Sequence, residues 1–310
     1  IRDRPMVHDG DGGRYITWHA LINKDPDTGW VNWGMYRDMV HNEHLVGCLA
    51  LPHSDAGRIM AKYEWKGEGM PFAIAIGLPP ACAFTAACSL GAGVSEVEVA
   101  GALQGEPVEL VKCKTVDLEV PAYSEIVLEG HVLPGVLVDE GPFGEYTGFR
   151  ASPRSPRSVW QVECITWQDD PIMTMSNMGV PIDEGQLVYG TISLSAAYKE
   201  ALQAAGIPVT GVYVPPEGCS WIVIVSVMKV LNEIAAWIAS VLNSHRIGMG
   251  AISLIIVVDH TVDPFNIGEV MHAVASKLHP LKGHFTIPGI GSPLAPSLSL
   301  QERMNTVSYT

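Results

Sequence analysis

The 310-residue chain is 47% hydrophobic and only 17% charged, so it can bury a large apolar core and divide into two domains. Its net charge of −14 argues against nucleic-acid binding, because affinity for a phosphate backbone rests on clustered Lys and Arg, which number 19 against 33 Asp and Glu. No run reaches the roughly 20 consecutive apolar residues of a membrane span, and no signal peptide is visible. Together with six cysteines that form no C-x-x-C pair, these features predict a cytoplasmic protein with reduced thiols.

The first half of the chain predicts many short strands. A glycine-rich segment leads into a strand near residues 14–20, and a turn at 24–29 joins it to a second strand at 30–37, so a hairpin is expected. Ser54 and Asp55 predict the start of a helix directly after His53. The other elements expected here are a strand at 71–77, a helix at 80–90, a strand of alternating acidic and apolar residues at 95–101, and strands at 107–113, 118–120 and 124–130. Short strands separated by turn signals predict a barrel or a sandwich.

The second half of the chain has a different texture, in which strands alternate with helices. The predicted elements are strands at 159–167 and 172–175, a helix at 184–205, strands at 210–214 and 221–227, a helix at 230–242, a strand at 251–259 and a helix at 266–278. This alternation indicates an α/β layer domain, and the change of pattern predicts a domain boundary near residues 165–180. Residues 283–297 are rich in Gly and Pro and predict a loop that covers a site or an interface.

The stretch from Val138 to Gly148 carries two carboxylates, Glu140 and Glu145, on either side of a Gly-Pro-Phe-Gly turn. Glycine permits close backbone approach and proline fixes φ, so a rigid bend is expected between the two acids. When two carboxylates share a poorly hydrated site, one is pushed toward its protonated form and can act as an acid near neutral pH. An acidic surface turn between two strands is the alternative that these residues leave open.

Three further residues of the first half have side chains that bind metal ions: Asn32 in a predicted strand, His53 before a predicted helix, and Glu96 in the predicted acidic strand. This mixture of ligand atoms suits Mn²⁺ or Mg²⁺ bridging to a phosphate better than a structural Zn²⁺. Ordinary structural roles stay open, since a strand asparagine usually bonds to nearby backbone and a single histidine is more often structural. The sequence contains no H-E-x-x-H, G-x-x-x-x-G-K-[ST], G-x-S-x-G or G-x-G-x-x-G motif.

Four segments in the same order resemble the signature of the UbiD-type decarboxylases, which use prenylated FMN. They are residues 12–17, 32–37, 121–130 and 140–148, and the resemblance continues into the C-terminal half at 263–266. It implies an α+β fold, in which a split β-barrel that binds prenylated FMN, at residues 1–170, is followed by a C-terminal α/β domain at residues 171–310. The family also carries an N-terminal α/β domain, which we expect to be missing from this sequence wholly or largely.

Carried over residue by residue, the resemblance implies that Arg37, Glu140 and Glu145 are the catalytic set. It implies that Asn32, His53 and Glu96 bind the divalent ion, Mn²⁺ or Mg²⁺, that grips the cofactor phosphate. The residues it places at the cofactor are Asn32, Trp33, Gly34, Met35, Tyr36, Arg37, His53, Glu96 and Lys229.

The resemblance also implies a K⁺ site and a lysine ligand of the phosphate. A family K⁺ site near the same phosphate would involve Trp30 and backbone groups around Thr85, Ala86 and Cys88. Lys229 follows a predicted strand of the second domain and is a candidate ligand of the phosphate, while a plain surface lysine is the alternative.

The implied reaction is a reversible, non-oxidative decarboxylation of an aromatic acid. Loss of CO₂ leaves electron density that no ordinary side chain can store, so a cofactor must carry that step. Arg37 can hold a carboxylate or the flavin through its planar guanidinium. Glu145 is the predicted proton donor and Glu140 is predicted to hold Arg37, although the two glutamates could exchange these roles.

The substrate and the partners follow from the same resemblance. Residues 271–273 and 291–294 resemble family members that act on hydroxybenzoates such as 4-hydroxybenzoate, protocatechuate or vanillate. We expect a small aromatic acid and CO₂ as ligands, a flavin prenyltransferase as the supplier of the cofactor, and a homodimer or homohexamer without nucleic-acid or membrane partners. Two alternatives are an FMN-binding oxidoreductase of split-barrel type and a non-catalytic subunit of a decarboxylase complex. The intact Arg37, Glu140 and Glu145 count against the second.

Overall fold

A computed structural model gives the structure of the chain. It describes residues 6–91, 93–179, 182–244, 252–290, 292, 294–299, 301–304 and 306–309. The chain divides into two compact units, the first made of residues 1–144 and 152–178 and the second of residues 145–151 and 179–310. Among the helices within the described ranges, none has the length and apolar character that a membrane span needs.

The first unit is built on a curled, eight-stranded antiparallel sheet that forms a half-barrel. The ten strands described in this unit are β1 (Arg14–Ile16), β2 (His19–Lys24), β3 (Val31–Gly34), β4 (Asp38–Val40), β5 (Leu45–Cys48), β6 (Met70–Ile76), β7 (Leu110–Lys112), β8 (Glu119–Pro121), β9 (Ile126–Glu140) and β10 (Ser155–Trp167). The order across the large sheet is β1-β4-β5-β10-β9-β6-β2-β3, while β7 and β8 pair separately. The helices of this unit are α1 (Asp55–Lys66), α2 (Pro80–Ala87) and α3 (Glu96–Gln104).

The main core of the first unit lies between the large sheet and α1. Phe72 of β6 and Trp160 of β10 are fully buried, with ring centroids 5.0 Å apart in an edge-to-face arrangement, and Ile59 of α1 belongs to the same cluster. The register of β9 against β10 shifts between Ser158 and Trp160 and again between Val162 and Cys164. Such bulges bend a strand and raise its twist, which allows two long strands to curl with the sheet.

The helix predicted from Ser54 and Asp55 is confirmed by α1. Ser54 caps its N-terminus by accepting a hydrogen bond from the backbone N–H of Gly57, and Gly67 ends it in the left-handed region at φ 71°. The hairpin is confirmed by the pairing of β2 with β3, but its first strand is displaced: residues 14–16 form β1, which pairs with β4, and β2 begins at His19. Its second strand is shorter than predicted, however, because it ends at Gly34. A Cβ at Gly34 would lie 2.5 Å from the Tyr36 ring, so the chain turns back on itself there and Arg37 falls in the loop before β4.

The acidic strand predicted at 95–101 is wrong, because these residues begin α3. Ser95 caps the helix by accepting a hydrogen bond from the N–H of Glu98, and Gly105 ends it at φ 81°. Acidic residues in a first turn interact favourably with the helix dipole, so Glu96 and Glu98 suit a helix start better than a strand. The alternation of glutamate and valine at residues 96–99 therefore does not mark a strand, because these residues form the first turn of α3.

The strand predicted at 172–175 is also absent from the structure. Hydrogen bonds that involve side chains hold this segment, in place of backbone pairing with a neighbouring strand. The N–H of Ile172 donates to the Glu125 carboxylate, and the Thr174 hydroxyl donates to the Trp18 carbonyl. The Thr174 oxygen in turn accepts from the N–H of Gly77. Side-chain hydrogen bonds of this kind satisfy the backbone without a neighbouring strand.

The second unit contains a small three-stranded sheet covered by helices. Its elements are a π-helical segment (Gln186–Leu194) that continues into α4 (Ser195–Ala204), then β11 (Val209–Tyr213), β12 (Ile222–Val227), α5 (Ile234–Ser244), β13 (Leu254–Asp259), α6 (Ile267–Lys277), β14 (Ile287–Ile290) and β15 (Thr306–Tyr309). β12 lies in the middle, antiparallel to β11 and parallel to β13. Tyr198, Val223 and Ile238 are fully buried in its core.

Most predicted elements of the second unit are present. The helix expected at 230–242 begins later, at Ile234, and the strand expected at 251–259 is described from residue 252, with the strand itself starting at Leu254. The loop predicted at 283–297 is wrong in part, since β14 lies within it and pairs antiparallel with β15. Gly291 and Pro293, which belong to a segment used for the substrate prediction, lie outside the described residues.

Candidate active site

A fully buried carboxylate, Glu140, ends β9 in the first unit. The Tyr15 hydroxyl donates to its Oε1 at 2.8 Å, and the Arg37 Nη2 donates to its Oε2 at 2.9 Å. The Arg37 side chain is only 7% exposed and that of Glu140 is 0% exposed. Burying a charge is costly unless it is paired and hydrogen-bonded, and here each oxygen of the carboxylate has a donor. For Glu140, the alternative of an acidic surface turn is therefore excluded.

An aromatic pair joins the two donors of Glu140. The ring of Phe143 lies 4.4 Å from that of Tyr15 between centroids, and the Arg37 guanidinium stands 5.4 Å from the Phe143 centroid. A guanidinium over a ring face at this distance gains cation–π stabilisation. Burial, followed by the Glu140 charge, raises the pKa of Tyr15, so its hydroxyl stays protonated and remains a donor.

The segment before β1 holds the bend that follows Glu140. The N–H of Gly12 donates to the Pro142 carbonyl at 2.7 Å, and Asp11 Oδ1 accepts from the N–H of Gly144 at 2.9 Å. A Cβ on Gly12 would lie 1.9 Å from the Gly141 carbonyl oxygen, so only glycine permits this approach. The bend is thus fixed from outside by residues far away in sequence.

A second buried carboxylate, Glu96, lies against the backbone of β3 at the residue that follows Asn32. Glu96 Oε2 accepts from the N–H of Trp33 at 3.1 Å, and the Asn32 amide nitrogen donates to Asn23 Oδ1 at 3.1 Å, which leaves the Asn32 oxygen as its ligand atom. Burial raises the pKa of Glu96 to about 7, and the Asp55 charge acts in the same direction. No Lys, Arg or His of the described residues pairs with Glu96. A hard cation would supply the missing positive charge at Glu96, so this carboxylate suits the predicted divalent site, which stays a prediction.

The third predicted ligand, His53, is exposed in the turn before α1. Its carbonyl accepts from Arg58 Nη2 at 3.0 Å, and its ring makes no hydrogen bond to Asn32 or Glu96 within the described part of the chain. Partial desolvation, followed by Arg58, lowers the pKa of His53, which favours the neutral imidazole that binds metals. Across the described ranges, this site included, no cluster of three or more His, Cys, Asp and Glu side chains could hold a metal ion.

The residues of the predicted K⁺ site are only partly grouped. Thr85 and Cys88 meet at the end of α2, where the N–H of Cys88 donates to the Thr85 carbonyl at 3.0 Å. Ala86 is buried on the same helix. The Trp30 indole N–H instead donates to the Val94 carbonyl at 3.1 Å. The K⁺ site stays a prediction.

The remaining predicted cofactor residues of the first unit follow Asn32. Trp33 and Gly34 are buried in β3, and Met35 and Tyr36 are half-buried in the loop to β4. Burial raises the pKa of Tyr36 to about 12, and its hydroxyl accepts from the N–H of Ala56 at 3.4 Å. Tyr36 therefore connects the loop that carries Arg37 to the first turn of α1.

Two predicted residues belong to the second unit. Glu145 is buried in a turn, where its N–H donates to the Phe149 carbonyl and its own carbonyl accepts from the N–H of Gly148. Lys229 is exposed two residues after β12. Their roles as proton donor and phosphate ligand stay predictions.

Sequence reasoning missed the residues that hold the pair of Arg37 and Glu140. Tyr15 and Gly12 lie inside a recognised motif but received no role, although a tyrosine in that motif was a usable signal. A further missed pair is His19 and Asp38, both fully buried, with His19 Nε2 2.9 Å from Asp38 Oδ2. It packs beside Cys48, whose pKa is raised by burial and then by the Asp38 charge.

Both units match known protein-family models. Residues 4–181 match the Rift-related domain of 3-octaprenyl-4-hydroxybenzoate carboxy-lyase, and residues 188–307 match the C-terminal domain of the same carboxy-lyase. The fold and the ordered motifs are thus those of a carboxy-lyase family. The chain belongs to the UbiD family, so the resemblance predicted from its four segments is confirmed.

Curated relatives agree with the family models. The chain is 33% identical over 308 residues to a pyrrole-2-carboxylic acid decarboxylase of Pseudomonas aeruginosa, and the alignment covers 96% of this chain and 62% of the relative. It is 35% identical over 301 residues to a phenolic acid decarboxylase of Sedimentibacter hydroxybenzoicus, covering 94% of this chain and 62% of the relative. The chain therefore spans less than two thirds of the length of these relatives.

Solved structures share the fold. The closed form of vanillic acid decarboxylase from Sedimentibacter hydroxybenzoicus has a TM-score of 0.90 at 33% identity and covers 98% of this chain and 64% of its own. The UbiD-class enzyme HmfF from Pelotomaculum thermopropionicum, in complex with FMN, has a TM-score of 0.87 at 33% identity and covers 98% of this chain and 66% of its own. The predicted α+β fold, a split barrel followed by an α/β domain, is confirmed.

Proposed function

We propose that the protein to which this chain belongs is a reversible, non-oxidative decarboxylase of an aromatic carboxylic acid that depends on prenylated FMN. The observation that carries the proposal is the buried pair of Arg37 and Glu140 at the family motif, in which the guanidinium is held by a carboxylate whose two oxygens both have donors. A buried arginine of this kind is suited to binding an anion in a dry site.

The cofactor is supported by relatives and by the chain's own residues. One solved structure with 34% identity is an evolved dimeric form of HmfF in complex with prenylated FMN. Here Asn32 and Glu96, with His53, would hold Mn²⁺ or Mg²⁺ against the cofactor phosphate, because a buried glutamate and an amide oxygen are hard ligands. Trp30 and backbone groups around Thr85, Ala86 and Cys88 would bind K⁺. Lys229 would add a charge for the phosphate. A flavin prenyltransferase would supply the cofactor.

The division of chemistry follows from these parts. When bound, prenylated FMN supplies the electron sink for the pair left behind as the carbon–carboxylate bond breaks and CO₂ departs. Arg37 binds and orients the acid through its guanidinium, and Glu140 fixes the direction of that guanidinium. Glu145 returns one proton to the carbon that CO₂ has left, which balances the reaction as acid to arene and CO₂. Excess bicarbonate would drive the same steps backwards.

A phenolic acid is the proposed substrate class. The names of several relatives are phenolic acid decarboxylase or ferulic acid decarboxylase, and one solved neighbour is a vanillic acid decarboxylase. A phenol can donate electron density into the ring and so assist loss of CO₂. Pyrrole-2-carboxylic acid, the substrate named for another relative, is an electron-rich ring acid of the same kind.

The test uses the full-length protein co-expressed with a flavin prenyltransferase. The purified protein is expected to show a bound-flavin visible spectrum and to release CO₂ from at least one member of a panel of hydroxybenzoates, vanillate and pyrrole-2-carboxylate. Glu145→Gln should keep the spectrum and lose turnover, whereas Asn32→Ala should lose the flavin. Cofactor-loaded protein that releases no CO₂ across the panel, or that instead oxidises a reduced nicotinamide, would contradict the proposal.

A further inference from the structure

The motif at residues 12–17 has no role in the proposed chemistry, yet its tyrosine touches the catalytic pair. We propose that Tyr15 is a positioning residue, whose hydroxyl locks the rotation of the Glu140 carboxylate and thereby fixes Arg37. This inference rests on the proposed function for its kinetic consequence. The positioning itself is a property of the protein without cofactor or substrate.

The carboxylate of Glu140 needs an external lock. The terminal torsion of a glutamate is broad and roughly two-fold, so nothing within the side chain selects one orientation. In the structure the two oxygens are divided between two donors, Oε1 to Tyr15 and Oε2 to Arg37. If the tyrosine hydroxyl were absent, the carboxylate could rotate or take both oxygens to the guanidinium. The hydrogen bond between Arg37 and Glu140 would then no longer have one geometry.

Tyr15 is rigid enough to act as that lock. It is fully buried, and it is paired across the sheet with Met39 of β4. Its ring packs on Phe143, and Phe143 also lies beneath the Arg37 guanidinium, so the tyrosine contacts one member of the pair directly and the other through a shared ring. The donor of the lock is therefore not a mobile surface hydroxyl.

The backbone also fixes the distance between donor and acceptor. Gly12, three residues before Tyr15, is bonded to Pro142, two residues after Glu140. The two segments are in contact at Gly12 and Gly141 with no room for a side chain. The segment that carries the hydroxyl and the segment that carries the carboxylate cannot move apart without breaking this contact.

The first test measures Arg37 directly in cofactor-free protein. Tyr15→Phe keeps the ring on Phe143 and removes only the hydroxyl. The rate at which phenylglyoxal modifies Arg37, followed by peptide mass spectrometry, is expected to rise about 10- to 100-fold, on the scale of one lost hydrogen bond to a charged group. The matched control is Tyr63→Phe, since the Tyr63 hydroxyl donates to the Lys24 carbonyl at 3.2 Å, in the same unit but at another place. The control should leave the rate within about twofold, because it removes no donor of Glu140.

The second test measures turnover in the cofactor-loaded enzyme. Tyr15→Phe should lower kcat about 10- to 100-fold with KM within about twofold, because orientation of Arg37 matters at the reacting step more than in ground-state binding. Tyr63→Phe should change neither constant by more than about twofold. A rise in Arg37 modification together with an inactive wild-type enzyme would refute the proposed function and retain the positioning role. Unchanged Arg37 modification and unchanged kcat in Tyr15→Phe would overturn the positioning role alone.

A third measurement needs no tyrosine variant, in case Tyr15→Phe does not fold. In protein labelled with ¹³C at the tyrosine Cζ carbons, the signal of Tyr15 should move when Glu140→Gln removes the charge that its hydroxyl faces. The Tyr63 signal should stay in place. A Tyr15 signal that is indifferent to Glu140→Gln would show that the hydroxyl does not donate to this carboxylate in solution, which overturns the proposal.

Discussion

Replacing Glu140 by glutamine tests whether the buried pair carries the energy that its geometry implies. Glutamine keeps the shape and one acceptor oxygen but removes the charge, so the Arg37 guanidinium is left buried at 7% exposure with a neutral partner. Removing one partner of a buried ion pair costs about 3–5 kcal/mol. We expect the lower end, about 3 kcal/mol, because the Tyr15 hydroxyl can turn and accept from the new amide while the amide oxygen still faces Arg37.

The assay is urea unfolding of wild type and variant at one pH, followed through the fluorescence of the first unit. Glu163→Gln on β10 is the matched control, since Glu163 pairs with His131 at 3.0 Å but the two side chains are 37% and 36% exposed. That exposed pair should contribute less than about 1 kcal/mol. If Glu140→Gln lowered the free energy of unfolding no more than Glu163→Gln does, the view of Glu140 and Arg37 as a desolvated pair would be refuted.

Three further predictions concern the surroundings of the pair. The pKa of Glu96 is raised to about 7 in the fold, so protein without a divalent ion should lose stability as pH rises from about 4.5 to about 7, with about 3 kcal/mol as the upper limit. In urea titrations, Glu96→Gln should abolish this loss. A variant that keeps the wild-type pH profile would contradict the raised pKa of Glu96. Gly12→Ala should lower the free energy of unfolding by about 3 kcal/mol, because the new Cβ would collide with Gly141. The control is Gly91→Ala, where the nearest atom is 3.4 Å away and the change should be less than about 1 kcal/mol. Equal effects of the two substitutions would refute the close approach of Gly12 to Gly141. Ser54→Ala should lower the melting temperature through loss of the α1 cap, worth about 1 kcal/mol, and unaltered unfolding would show that the cap contributes nothing.

Elements whose signals are local were predictable from the sequence. The start of α1 follows from Ser54 and Asp55 because an N-cap needs only its own next three residues. The strand predicted at 124–130 covers less than half of β9, which runs on to Glu140 through Pro134 and Gly135, two residue types that disfavour a regular strand. In the fold they lie where β9 shifts register against β10, and a bulge accommodates a proline that a regular ladder would not.

The candidate site also contains residues that local sequence motifs predict and contacts that they do not. The family motifs pointed to Arg37 and Glu140, and the structure pairs them. The hydrogen bond from Tyr15 to Glu140 joins residues 125 apart in sequence, and no pattern within either segment indicates it. Glu96 was predicted as a metal ligand from its order in the chain, but the strand predicted around it is a helix. Alternation over four residues is a weaker signal than the N-cap at Ser95.

The contact between Gly12 and the bend after Glu140 limits how this chain can be trimmed by protein engineers. A shortened version that began at β1 would retain Arg37 and Glu140. It would lose the hydrogen bond that the N–H of Gly12 donates to Pro142 and the one that Asp11 accepts from the N–H of Gly144, together with the N–H of His8 that donates to Asp11. Libraries that randomise the bend should therefore vary residues 8–12 in the same round, since the two segments share one steric boundary.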